Sequence, residues 1–383
     1  MTFSKSKHRI PFNRPFLVGK DLEYITKAFA EGWISGDGPY TKKVQALLEE
    51  QLGVNRVLLT TSCTHALEIS AILLDLKPGD EIIIPSFTFV STALAFVMHG
   101  GTPVFADIRR DTLNIDETLI ESLITDKTRA IVPVHYAGVG CDMDKIMEIA
   151  DKHGLIVIED NAHGLYGKYR NRYLGTIGHM ATQSFHETKN ITCGEGGALI
   201  INDPEYAERA EILREKGTNR ARFFRGEIDK YTWVDKGSSY VISDILAAFL
   251  YGQLFRAEEI QSNRRASWEY YNEKLYLWAN KNNVQLPSIP EDCNQAYHMF
   301  YLIMPDLQVR TRFLEYLNQR GINAVFHYLP LHASEMGQKL GRTSSNCATS
   351  LDISDRIVRL PFYNGLSRED LQSVVDTVTE FVA

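Results

Sequence analysis

Apolar positions along this chain change their spacing as the chain proceeds. A helical pattern fits residues 21–31, ending at Gly32, and apolar residues recur at helical spacing over 41–52. From Val57 the pattern becomes short apolar runs separated by helical stretches: 57–61, 81–86, 102–107, 130–135, 155–160, 182–185 and 198–201. Most of these runs are apolar throughout rather than alternating, as strands covered on both faces must be. The order predicts α/β architecture, a mostly parallel seven-stranded sheet built from βα units. Farther on, a long helix over about 243–274, a strand-like run at 299–304, a helix at 310–320, a run at 323–328 and a last helix at 368–382 predict a smaller α+β domain. Residues 1–16, with Pro11 and Pro15, read as an extended arm. The expected division is therefore 1–255, arm and large domain, and 256–383, small domain, joined tightly inside the connecting helix.

Composition narrows the class of protein. The chain has 383 residues, 44% hydrophobic and 23% charged, which excludes a disordered polymer and leaves room for about two cores. A net charge of -7 argues against a general nucleic-acid or anionic-membrane binder, so an anionic ligand has to be held locally. Five cysteines without metal-type spacing read as reduced thiols, and neither a signal-peptide core nor a membrane-length apolar run is visible. The expectation is a cytoplasmic protein without a metal site.

In doubly covered sheets ligands collect at the carboxyl ends of the strands, and these ends carry the chemistry. The first run leads through Thr61-Ser62-Cys63-Thr64-His65 into a helix expected at 65–74, where free backbone N–H groups and the helix dipole suit a phosphate as well as an ordinary cap. The second leads to Phe89, which is either core or a cover for a flat heteroaromatic ring. His135 at the end of the fourth is as readily a structural histidine as a ligand contact. In Leu155-Ile156-Val157-Ile158-Glu159-Asp160-Asn161-Ala162-His163 four apolar residues deliver carboxylates to a strand end, where a buried charge requires a cation; a protonated pyridine nitrogen is one. Strand alternation sends Glu159 to the opposite face, in a structural role. Lys189 follows Ser184-Phe185-His186 and precedes Gly194-Glu195-Gly196-Gly197, so the backbone can pass closely by a lysine able to form a Schiff base with pyridoxal phosphate (PLP). The arginines between 214 and 225 read either as a solvated loop or as an anion-binding edge for a phosphorylated substrate. The loop Trp33-Ile34-Ser35-Gly36-Asp37-Gly38-Pro39 is balanced between connector and ligand contact.

Taken in order, Thr61-Ser62-Cys63-Thr64, Pro85-Ser86-Phe87-Thr88-Phe89, Glu159-Asp160-Asn161-Ala162-His163 and Ser184-Phe185-His186 with Lys189 resemble fold-type-I PLP enzymes. With Trp33-Ile34-Ser35-Gly36 and His327-Tyr328-Leu329-Pro330-Leu331-His332, the whole chain resembles the DegT/DnrJ/EryC1/StrS family of nucleotide-sugar aminotransferases. The resemblance implies Lys189 as the Schiff-base lysine, Asp160 as the pyridinium partner, Phe89 as the stacking ring and His163 as a neighbour of the cofactor's phenolic oxygen. It implies phosphate contacts from Ser184, Thr64 and the backbone at Ser62 and Cys63. Relatives offer an Asn near Ser239 from the neighbouring subunit; serine stands there in this chain, and the implied contact crosses a homodimer interface.

Residues 184–190, 215–220, 223–226 and 229–233 are similar to members that aminate a 4-keto sugar. They imply L-glutamate as amino donor and dTDP-4-keto-6-deoxy-D-glucose as acceptor. Amination of a 3-keto sugar is the alternative position. A PLP-dependent sugar dehydratase is a rival, against which Lys189 counts, since such relatives replace that lysine by histidine. A non-catalytic sensor on the same fold is a further rival, made less apt by the joint presence of Lys189, Asp160 and a phosphate loop.

Overall fold

A computed structural model of the chain describes residues 9–343 and 346–382; the first half of the expected arm, 1–8, lies outside the described residues. All seven apolar runs form strands of one sheet: β1 (Arg56–Thr60), β2 (Glu81–Pro85), β3 (Thr102–Ala106), β4 (Thr128–Ile131), β5 (Ile156–Asp160), β8 (Met180–Ser184) and β9 (Gly197–Ile201). A hairpin, β6 (Lys168–Tyr169) and β7 (Arg172–Tyr173), lies between β5 and β8 in sequence and pairs with β10 (Cys293–Asn294) in a separate small sheet. The large sheet runs β1-β9-β8-β5-β4-β2-β3. Only β9 opposes the rest, pairing antiparallel with both β1 and β8.

The continuous apolar runs are explained by what covers them. Leu58, Ile82, Ile84 and Ile158 pack against the helices at Cys63–Leu73 and Ser91–Val97. Val57, Leu59, Ile83 and Val157 point the other way, toward helices at Pro39–Leu52, Met143–His153 and Asp244–Phe255. The expected phosphate-loop helix begins at Cys63, two residues earlier than the apolar spacing indicates, because the Ser62 hydroxyl caps it by accepting from the His65 amide at 3.1 Å.

The long helix expected over 243–274 is two helices, Asp244–Phe255 and Ala257–Lys281, separated at Arg256, whose ψ of 21° leaves the helical range. The run 323–328 forms no strand: only Val325 bridges to Arg359. The C-terminal part is built on β11 (Tyr301–Ile303) paired antiparallel with β12 (Ile357–Arg359), and on the helices Ala257–Lys281, Leu307–Gln319 and Arg368–Glu380. Its core contains Trp268, Tyr271, Phe300, Phe313 and Val374. The described part of the arm has no helix, and Ile10 is fully buried in this C-terminal core, held by hydrogen bonds between its backbone and Gly321 and Asn323. A second apolar cluster, with Phe87, Tyr136, Met299 and Tyr301, joins the C-terminal part to the end of β2.

Candidate active site

The carboxyl ends of β1, β2, β5 and β8 face one cavity of about 680 Å³, closed on its other side by the arm at Phe12 and Asn13 and by Val325–Tyr328. Ser62, Cys63, Thr64, Phe89, Asp160, His163, Ser184 and Lys189 all line it. Ser239 does not. It is exposed on the segment that leads into Tyr240 and bridges Glu215 of its own chain, so within one subunit it has no access to the cavity.

Lys189 sits in a tight loop after β8. The Phe185 amide donates to the Gly196 carbonyl and the Glu187 amide to the Gly194 carbonyl, folding the chain back on itself. Gly194 adopts a φ of +87°, and a Cβ at Gly196 would stand 2.6 Å from the Cys193 sulfur, so the predicted glycine requirement has a steric cause here. Burial lowers the Lys189 amine to about 8, with Arg359 pushing the same way and Cys63 and Asp160 opposing. Burial pushes the Cys63 thiol up to about 12, which leaves it a neutral filler.

Asp160 closes β5 and is buried. Its Oδ2 accepts from the Thr92 hydroxyl at 2.8 Å and its Oδ1 from the Ala162 amide at 3.2 Å. Burial raises its pKa, opposed by those two hydrogen bonds and by Lys189. Glu159 points to the opposite face as alternation requires. It binds His135 at 2.8 Å and accepts from the amides of Gly175, Ile177 and Gly178 at 2.7–2.8 Å. Since the Cys141 amide donates to His135 Nδ1, the proton that meets Glu159 is on Nε2, and His135 is structural rather than a ligand contact.

Three imidazoles border the cavity in a row. His163 stacks on His298 with centroids 4.2 Å apart, and His327 lies 6.2 Å from His163. Burial drives all three well below the ordinary histidine range, so they are neutral at pH 7. His298 Nδ1 meets the Asn190 side-chain oxygen at 2.9 Å, and His327 Nδ1 meets the Tyr136 hydroxyl at 2.6 Å, whereas His163 Nδ1 is buried without a partner.

These features fit PLP on physical grounds. A buried carboxylate awaits a cation, a buried imidazole nitrogen awaits a hydrogen-bond partner, and a lysine with lowered proton affinity lies in the same cavity. At the 61–65 loop expected to take a phosphate, a Cβ on Gly197 would come within 2.3 Å of the Ser62 carbonyl carbon, so only glycine lets β9 lie against the start of the helix Cys63–Leu73. That helix presents free N–H groups beside the hydroxyls of Thr64 and Ser184. Among the described residues no cluster of His, Cys, Asp or Glu is placed to hold a metal ion, and no helix is long and apolar enough to cross a membrane.

The anion-binding edge at 214–225 takes a different form. Arg214 pairs with Asp37, Arg220 with Glu215, Arg222 with Glu208 and Glu227, and Arg225 with Glu211 and Glu227, so each guanidinium already has a carboxylate. The 33–39 loop is a connector within this chain. Asp244 accepts from the amides of Tyr40 and Thr41 and so caps the following helix. Composition and spacing did not single out Thr92, Asn190, His298 or Arg359. For Arg359 a signal existed: it ends the apolar run Ile357-Val358, as Asp160 ends its own.

The DegT/DnrJ/EryC1/StrS aminotransferase family model matches residues 16–379. The spore coat polysaccharide biosynthesis protein SpsC of Bacillus subtilis is 31% identical, over 99% of this chain and 98% of its own. Among solved structures, the aminotransferase TlmJ of Streptoalloteichus hindustanus superposes with a TM-score of 0.89 at 30% identity, covering 97% of this chain and 98% of TlmJ. Spr1654 of Streptococcus pneumoniae, solved in PLP and PMP forms, superposes at 0.88 and 0.89 with 26% identity, covering 97% of this chain and 98–99% of its own.

Proposed function

We propose a substrate pair from the premise that this chain belongs to the DegT/DnrJ/EryC1/StrS aminotransferase family. Membership makes it a PLP-dependent sugar aminotransferase. The finer reading is transfer of the amino group of L-glutamate to dTDP-4-keto-6-deoxy-D-glucose, giving dTDP-4-amino-4,6-dideoxy-D-galactose and 2-oxoglutarate, the reaction of dTDP-4-amino-4,6-dideoxygalactose transaminase. The observation that carries amino transfer is Lys189, with its lowered proton affinity, sharing one cavity with buried Asp160 and the unpartnered nitrogen of His163. The 4-keto acceptor rests on the likeness of residues 184–190, 215–220, 223–226 and 229–233. A polysaccharide precursor accords with the name of SpsC.

Bound PLP supplies an aldehyde that takes up an amino group and a ring that draws off the electron pair left when a proton departs. The remaining tasks fall to side chains. Lys189 anchors the cofactor between turnovers. Its Nζ would carry a proton from the donor's α-carbon to the cofactor and, in the second half-reaction, from the cofactor to the sugar carbon that receives the amine; an amine near 8 is a free base often enough to do this at neutral pH. Asp160, oriented by Thr92 and the Ala162 amide, keeps the ring nitrogen protonated. Neutral His163 would offer its unpartnered Nδ1 to the ring's phenolic oxygen. Ser62, Cys63, Thr64 and Ser184 would hold the phosphate, and Phe89 would cover a ring face. Phe89 lines the cavity yet is more than half exposed, and the apolar side chains of Leu94 and Met98 are exposed as well. Both fit a homodimer that completes each site.

The test is to incubate the purified enzyme with L-glutamate and dTDP-4-keto-6-deoxy-D-glucose and identify the product by mass and NMR. An axial 4-amino sugar supports the reading; an amine at carbon 3, or loss of a hydroxyl without amination, overturns it.

A further inference from the structure

Arg359 ends β12 inside the active-site cavity and is the one arginine among the residues lining it. Unlike the arginines of 214–225, it meets no carboxylate among the described residues. Its Nη2 reaches only the Phe326 carbonyl at 3.4 Å, and its Nε is buried without any hydrogen-bond partner. The guanidinium lies over the Phe12 ring of the arm at 4.7 Å, which fixes the plane of the fork. Tyr136, Tyr328, His327, His163, His298 and Lys189 are the other titratable groups that feel its charge, and none brings a negative charge at neutral pH. Neither carboxylate in the cavity wall pairs with it: Asp160 accepts from Thr92 and the Ala162 amide, and Glu195 is exposed, 3.7 Å from His186. The half-buried guanidinium, with its buried Nε unpartnered, is poorly satisfied, and a ligand that brings an anion supplies what is missing.

We propose that Arg359 is the residue that binds a carboxylate of the amino donor. The inference rests on the reading of L-glutamate as donor given above. A single planar guanidinium with an unused Nε matches one planar carboxylate, held by paired N–H groups. A nucleoside diphosphate, with more than one charge spread over tetrahedral groups, needs several cations, and Lys189 is the other one here. The keto-sugar carries no carboxylate on its reacting ring. Arg359 therefore distinguishes the two substrates that take turns in one cavity, favouring the donor by charge and leaving the sugar to be held by other contacts.

The experiment compares the PLP-loaded wild type with Arg359→Gln and Arg359→Lys by calorimetric titration. The probes are glutarate, which has the carboxylates of glutamate and no amine to transfer, and dTDP. Losing a charged hydrogen-bonding partner should weaken glutarate binding roughly 10- to 100-fold in Arg359→Gln. The loss should be smaller in Arg359→Lys, which keeps charge without the fork, and dTDP binding should stay within about twofold in both. In single turnovers the Gln variant should need correspondingly more L-glutamate, with dTDP-sugar saturation unaltered. Weakened dTDP binding with normal glutarate binding would assign Arg359 to the nucleotide, and unchanged binding of both would make it only a support for the aromatic cluster; either overturns the proposal. If the wild type itself binds neither glutarate nor L-glutamate, the donor assignment is at fault, and the proposal falls with it.

Discussion

Burial that lowers the Lys189 amine to about 8 acts on stability as well as on reactivity. Against a value near 10.5 in the unfolded chain, the folded cofactor-free protein holds one proton fewer between about pH 8 and 10.5. Its stability therefore rises with pH through that window, and the cost of the buried charge is fully present below 8. Lys189→Ala removes both that cost and the proton carrier. The variant should melt no lower than cofactor-free wild type at pH 7, while turnover falls more than about a thousandfold. PLP uptake by the cofactor-free wild type should accelerate with pH around a midpoint near 8; a midpoint near 10.5 would show the amine to be solvated. Asp160→Asn keeps the hydrogen-bonding shape but not the charge. Losing about 3–4 kcal/mol of ion pairing predicts single turnovers with L-glutamate slowed roughly 100- to 1,000-fold, with the thermal midpoint little changed. A rate near wild type would mean that another group protonates the ring.

At the scale of elements, β5 delivers two neighbouring carboxylates to opposite faces, and the pleat separates a chemical task from a structural one. On the far face Glu159 ties His135 and the 175–178 turn to the sheet. Burial pushes its pKa up, but the hydrogen bond from His135 and those from the amides of Gly178 and Gly175 outweigh that and hold it below the ordinary carboxylate value. The stabilisation is thus complete above that ordinary value and is lost as pH falls through the lower folded one. Glu159→Ala strands an imidazole and three amides in the interior, and should cost about 3–5 kcal/mol in denaturant unfolding of the cofactor-free protein. A cost below about 1 kcal/mol would mean that water replaces the carboxylate. Element positions were legible to within a few residues because each run had to be apolar on both faces. The breaks were less so. Nothing in the apolar spacing marks Arg256, where one helix ends and the next begins, since residues on both sides are good helix formers and packing decides the turn.

For the whole molecule, the shared site is the consequence to test. Ser239 and the exposed Tyr231 and Trp233 have no access to their own chain's cavity, although the resemblance assigns Ser239 a cofactor contact. Mixing folded, inactive Lys189→Ala with a folded, inactive variant substituted at Arg220 and Ser239 should restore activity, in one of the two sites of each heterodimer. No recovery despite demonstrated subunit exchange would place the 220–239 region in the service of its own subunit.

The order of apolar runs determined the seven strands, and the charged or hydroxylated residue at each strand end determined the candidates for chemistry, because a parallel sheet leaves its carboxyl ends as the place where polar groups can stand. Lys189, Asp160 and the 61–65 loop were readable on that ground, and the glycines after Lys189 on the ground of close approach. Which charges are already neutralised is a matter of tertiary contact. Sequence does not tell which of the arginines of 214–225 and Arg359 finds a partner; folding brings a carboxylate to each of the former and only carbonyl and aromatic groups to the latter. The direction of β9, the stacking of His163 on His298 and the burial of Ile10 in the C-terminal core likewise join residues far apart in the chain. Local spacing carries no information about such pairs, because their energies arise only when the chain brings them together.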